Sequence, residues 1–91
     1  MRVRWTSPAT RDLYNIVRHI QQDNPPAAAR VGEKLYESCS SLANFPSLGR
    51  IGRIEGTREV VIAGLPYIVV YRTQSAFVEI IRVYHGAQDW P

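Results

Sequence analysis

Apolar residues recur along this chain in two rhythms, and the change of rhythm divides it. From Ala9 the spacing is helical: Ala9, Leu13, Ile16, Val17 and Ile20 share one face, while Arg11, Asp12, Asn15, Arg18 and Gln22 fall largely off it. Ser7-Pro8 reads as a helix start, with serine as N-cap and proline at the first helical position. The helix is expected to end near Asp23. Asn24-Pro25 repeats the signal, and Ala28, Val31, Leu35, Cys39 and Leu42 form a second apolar stripe. Proline disfavours helix at the residue before it, so this helix should stop before Phe45-Pro46. Two amphipathic helices with so short a link form an antiparallel hairpin.

After a polar loop over 47–56 the rhythm changes. Thr57 to Ile62, Tyr67 to Thr73 and Phe77 to Tyr84 are rich in Val, Ile and Tyr and read as strands, as does the short opening Val3 to Trp5. The short connections Ala63 to Pro66 and Gln74 to Ala76 require antiparallel neighbours. The expectation is a single α+β domain over 1–91: a helical hairpin on a small antiparallel sheet, in the order β-α-α-β-β-β. On the last strand, alternation puts Arg82 with Val78, Ile80 and Tyr84, and Glu79 with Phe77, Ile81 and Val83. Neither set is cleanly polar, so alternation does not say which face carries the helices. A sheet this apolar on both sides suggests that its second face is also covered, by a partner.

Composition narrows the class. The chain has 91 residues, 45% hydrophobic and 21% charged, as in ordinary globular domains. No apolar run approaches the roughly 20 residues of a membrane span, and the N-terminal residues lack the apolar core of a secretory signal. One cysteine, Cys39, excludes an internal disulfide and a zinc cluster. A cytoplasmic protein without metal or cofactor is the expectation. Net charge is +3, and ten of the eleven cationic residues are arginine, leaving Lys34 as the one lysine. The arginine fork binds carboxylates and phosphates alike. The charge therefore admits nucleic acid or an acidic protein as partner. The densest basic run holds Arg50, Arg53 and Arg58, with Glu55 and Glu59 as possible ion-pair partners.

Several strings in this order resemble the RelE/ParE superfamily of bacterial toxins, whose members are often called plasmid stabilisation proteins. They are Trp5-Thr6 with Ala9 and Asp12-Leu13; Asn24-Pro25 with Ala27-Ala28; and Phe45-Pro46. Stronger are Gly49-Arg50 through Gly56-Thr57-Arg58-Glu59, Tyr67 to Arg72, and the ending Arg82 to Pro91. The resemblance covers essentially the whole chain. It implies the toxin of a type II toxin–antitoxin module, held inactive by a cognate antitoxin. It also implies one of two targets. RelE-like members cut mRNA on the ribosome; ParE-like members inhibit DNA gyrase by binding.

Metal-free RNA cleavage needs a base, a cation for the phosphorane and an acid. RelE-like nucleases carry alternating lysines after a Gly-x-Arg-Asp string. Here Val60-Val61-Ile62-Ala63 follow Gly56-Thr57-Arg58-Glu59, and Ile68 stands where an arginine is expected. The resemblance leaves Arg58, Arg82 and His85 as the catalytic set of a nuclease. Arg50, Arg53, Arg58, Arg72 and Arg82 are the set for binding antitoxin or target. Each has a plainer role open to it. His85 can cap the strand end, Arg72 can pair with Glu79 across the hairpin, and Arg50, Arg53 and Arg58 can lie in a solvated loop. Arg82 looks unpaired, since Glu79 is placed on the opposite face of its strand. Tyr67, Tyr71 and Tyr84 read as packing residues, His19 as a surface histidine, Cys39 as a core residue, and Trp90 as an anchor for the C-terminal segment. The missing cations tilt the reading towards gyrase, with the mRNA endonuclease, or a toxin fold that only binds its antitoxin, as alternatives.

Overall fold

A computed structural model describes residues 1–91. The order is β1 (Arg2–Trp5), α1 (Ser7–Asp23), α2 (Pro25–Ser41), β2 (Arg50–Ile51), β3 (Arg58–Val61), β4 (Tyr67–Gln74) and β5 (Phe77–His85). The α+β layering and the helical hairpin are as the sequence reading has them. The sheet adds the two-residue β2 and runs β1-β5-β4-β3-β2. It is mixed rather than wholly antiparallel, because β1 pairs with β5 in parallel. Short turns dictate the direction of β3, β4 and β5, but β1 lies a helical hairpin away from its partner, where no turn constrains it.

The helix starts follow from local chemistry. Thr6, not Ser7, caps α1: its Oγ1 accepts from the Ala9 amide at 3.2 Å. The same hydroxyl donates to the Ile81 carbonyl at 3.0 Å, a long-range bond that ties the start of α1 to β5. Asn24 caps α2 through Oδ1 and the Ala27 amide at 3.1 Å. It is also the single residue between the helices, so the hairpin is as tight as the sequence suggests. The helices then approach closely at Gly32, where an added Cβ would lie 2.9 Å from Val17 Cγ2.

One side of the sheet carries the core. Leu35, Cys39 and Leu42 of the α2 stripe and Ala9 of α1 pack with Val69, Tyr71, Val78, Ile80 and Val83. Val78, Ile80 and Val83 cannot share a face by simple alternation. Tyr71 pairs with Ile80, but Val70 pairs with Arg82, so Ile81 is an extra residue in β5. Such a bulge inverts the alternation beyond it. Glu79, Arg82 and Tyr84 therefore share the face turned away from the helices. The sequence reading, which put Arg82 with Ile80 and opposite Glu79, is corrected here. No helix is long and apolar enough to cross a membrane.

Candidate functional site

The cross-strand register builds the outward face row by row. One row runs Arg50, Glu59, Val70 and Arg82 across β2, β3, β4 and β5. Its hub is Glu59, which is 2% exposed. Arg50 Nη2 donates to Oε1 at 3.1 Å and the Arg53 amide to Oε2 at 3.0 Å. Burial pushes this carboxyl up, but the Arg53 amide, the Arg50 guanidinium and both arginine charges together hold it below the usual carboxylate range. Tyr84 Oη lies 3.5 Å from Oε1. Burial, and then the Glu59 charge, push the Tyr84 phenol above its ordinary value.

The C-terminal segment folds over this row. Trp90 stacks on Tyr84 with ring centroids 5.5 Å apart and planes at 20°. The Arg82 guanidinium lies 5.5 Å from the Trp90 ring centroid, and Arg53 Nη1 donates to the Trp90 carbonyl at 2.6 Å. Trp90 thus anchors the end of the chain. Part of the cover that the apolar strands called for comes from the chain's own C-terminal segment.

Arg82 is not unpaired. Its Nε and Nη2 donate to Asp12 Oδ2 and Oδ1 at 2.7 and 3.0 Å. The Val83 amide donates to the same Oδ2 at 2.9 Å, so one α1 carboxylate grips both side chain and backbone of β5. The sequence reading has Asp12 off the apolar stripe of α1 and in one of the strings of the resemblance, with no partner assigned to it. Neither signal points to Arg82, because that partner lies in a strand far along the chain.

The remaining residues scatter. Arg72 pairs with Glu79, Nε to Oε1 at 2.7 Å, as the hairpin reading allows. Arg58 pairs across strands with Tyr71 and so lies on the helix-side face, where its Nη1 donates to the Gly49 carbonyl at 2.8 Å. It is therefore separated by the sheet from Arg50, its neighbour in the basic run. His85 pairs with Tyr67 at the far end of β4 and meets that ring edge-on at 5.7 Å. Its Nδ1 accepts from the Ala87 amide at 3.0 Å. The backbone positions facing Arg58 and His85, Tyr71 and Tyr67, are four residues apart on β4, about 13 Å at the usual rise of a strand. Arg58, Arg82 and His85 each bond a different partner, and no hydrogen bond or ion pair joins any two of them.

A different kind of surface lies at the β2 end. Tyr71 Oη accepts from the Gly49 amide at 2.8 Å and donates to the Pro46 carbonyl at 2.9 Å, which fixes the segment leading into β2. Held there, Phe45, Leu48, Ile51 and Ile54 are 62%, 61%, 75% and 41% exposed. Arg50, Arg53 and Arg58 flank them in sequence.

The chain is 48% identical to Y4kP of Sinorhizobium fredii over 90 residues, covering 99% of this chain and 93% of that protein. It is 36% identical to toxin RelE2 of Caulobacter vibrioides over 84 residues, covering 92% of this chain and 93% of the relative. Its fold matches a chain from the chromosomal ParDE system of P. aeruginosa with a TM-score of 0.85 at 23% identity, over 93% of this chain and 95% of that one. The toxin–antitoxin complex RelBE2 of Mycobacterium tuberculosis matches with a TM-score of 0.60 at 29% identity, over 92% and 95%. The family described as ParE toxin of type II toxin–antitoxin system, parDE, matches residues 3–90. The chain belongs to that family, and is a toxin of a type II toxin–antitoxin module.

Proposed function

We propose that this toxin arrests bacterial growth by binding DNA gyrase rather than by cutting RNA. The observation that carries the reading is the separation of Arg58, Arg82 and His85. A nuclease needs its base, cation and acid around one scissile phosphate. Arg58 points to the helix side, Arg82 is clamped on Asp12, and His85 stands at the opposite end of β4. Ile62 and Ile68, at positions where nuclease cations are expected, carry no charge. The runner-up is ribosome-dependent mRNA cleavage using Arg58, Arg82 and His85; the RelE names of the Caulobacter relatives favour it.

The toxin acts in the cytoplasm and is neutralised by a cognate antitoxin. Similar folds occur in structures titled as toxin–antitoxin complexes, which supports such a partner. An acidic amphipathic antitoxin segment fits the β2 end. Its apolar residues would cover Phe45, Leu48 and Ile51, and its carboxylates would meet Arg50, Arg53 and Arg58; Arg72 and Arg82, further along the sheet, are already paired with Glu79 and Asp12.

Purified toxin is expected to inhibit gyrase supercoiling while leaving mRNA on translating ribosomes intact. Cuts at A-site codons that vanish with His85→Ala and Arg82→Ala would instead establish the nuclease. Overexpression without growth arrest would leave a fold that only binds its antitoxin.

A further inference from the structure

The outward face has a second half, built by β1, β5 and the end of β4, that plays no part in the network around Glu59. The register sets Arg2 beside Phe77 and Gln74, and Arg4 beside Glu79 and Arg72. Arg2, Arg4 and Arg72 are all exposed. The three ion pairs in the molecule involve Arg50, Arg72 and Arg82, so Arg2 and Arg4 have no carboxylate. Arg72 uses only Nε on Glu79, so its two terminal nitrogens make no hydrogen bond within the molecule. The strands of this face carry five arginines, Arg2, Arg4, Arg50, Arg72 and Arg82, against two glutamates, Glu59 and Glu79, with Asp12 of α1 meeting Arg82. These arginines are scattered through the sequence, and only the strand order and the bulge at Ile81 bring them to one side.

We infer that Arg2, Arg4 and Arg72 form a docking face for the phosphate backbone of duplex DNA. The inference goes beyond gyrase inhibition, since it concerns nucleic acid held by the toxin itself. Three features select this occupant. First, the charge complements a polyanion, and arginine forks match phosphate oxygens. Side chains two apart on a strand are about 7 Å apart and neighbouring strands about 4.8 Å. Arg72 stands two strands from β1, so the trio spans roughly 12 Å, against one phosphate for every 3.4 Å or so of helix axis on each DNA strand. Second, the face offers little to a protein partner. Its aromatic residue, Phe77, is half-buried and already lies under the Arg4 guanidinium at 4.6 Å. The largest group of exposed apolar side chains, Phe45, Leu48, Ile51 and Ile54, lies at the β2 end instead, and Met1, which precedes Arg2, is the one such side chain close by in sequence. Third, single strands are held by stacking bases on free aromatic rings. Here Phe77 is capped by Arg4, and Trp90 is already stacked on Tyr84. What remains is contact with the backbone alone, which a duplex satisfies and which carries no sequence preference.

The test is binding of the purified full-length toxin, without gyrase, to a fluorescent 20-base-pair DNA duplex across a salt series. Three phosphate contacts predict a log–log slope near −2.7, or about a 40-fold loss of affinity between 50 and 200 mM salt. Arg2→Gln with Arg4→Gln should weaken binding at least tenfold and flatten the slope by about 2. Arg2→Lys with Arg4→Lys should keep most of both. Arg11→Gln with Arg30→Gln removes the same charge from the helices and should change affinity less than threefold. Equal losses in the two double glutamine variants would show that net charge, not this face, binds DNA, and would overturn the proposal. So would tighter binding to single-stranded RNA of the same length, or to polyglutamate, than to the duplex. Gyrase inhibition is read separately with the same variants, so failure of DNA binding leaves that reading standing or falling by its own assay.

Discussion

The Arg82 guanidinium holds both carboxylate oxygens of Asp12, at 2.7 and 3.0 Å, across 70 positions of sequence. The contact ties the first helix to the last strand just where the Ile81 bulge changes the faces of β5. Asp12→Asn should destabilise the fold by about 1–2 kcal/mol, since a charge-assisted pair is lost and the Val83 amide meets a weaker acceptor. The Arg82 side chain is 40% exposed, so solvent screening keeps the loss at the low end. Urea denaturation reads it directly. A variant as stable as wild type would make the clamp incidental.

Tyr71 and Gly49 make the second long-range link. Tyr71→Phe removes the acceptor of the buried Gly49 amide and the donor to Pro46, and is expected to cost about 1–3 kcal/mol. Gly49→Ala strains the same place from the other side, because its Cβ would sit 2.8 Å from the Glu59 carbonyl oxygen and 2.9 Å from the Tyr71 ring. Both variants should also speed hydrogen exchange in the segment leading into β2. Loss of stability with exchange there unchanged would contradict the proposed clamp.

Glu59 makes a pH prediction with a definite sign. Its carboxyl is held below the usual range in the folded protein, so the unfolded chain binds the proton more readily. The stability it contributes is complete above the ordinary carboxylate value of about 4.3 and is lost as pH falls through the lower folded value. Glu59→Gln should therefore flatten the fall of stability below about pH 4.3. Parallel acid titrations of the two proteins, with the same slope throughout, would refute this.

Cys39 is fully buried, and burial pushes its thiol up to about 12. A thiol-specific reagent at pH 8 should leave the native protein unmodified and label it only at the rate of unfolding. Prompt labelling under native conditions would place Cys39 in a site that opens without unfolding.

Much of the fold is local information. Pro8 and Pro25 start two helices, Asn24 separates them, and the turns after Ile62 and Gln74 leave β3, β4 and β5 no option but to run antiparallel. Each of these signals acts over a few residues, which is why it can be read along the chain. Arg72 with Glu79 belongs to the same class, because a tight hairpin sets its register.

Four other features lay beyond that reach: the parallel seat of β1 on β5, the bulge at Ile81, the partner of Arg82, and the choice of Tyr84 as the ring on which the anchoring Trp90 stacks. All depend on residues far apart in sequence packing against a core that must already exist. The bulge shows the reason most directly. A single extra residue reverses every later side chain on β5, and nothing in the alternation of Phe77 to Tyr84 marks where it falls. Periodicity specifies elements and their order. The face on which each arginine stands is a property of the assembled sheet, and the candidate functional surfaces come into being only there.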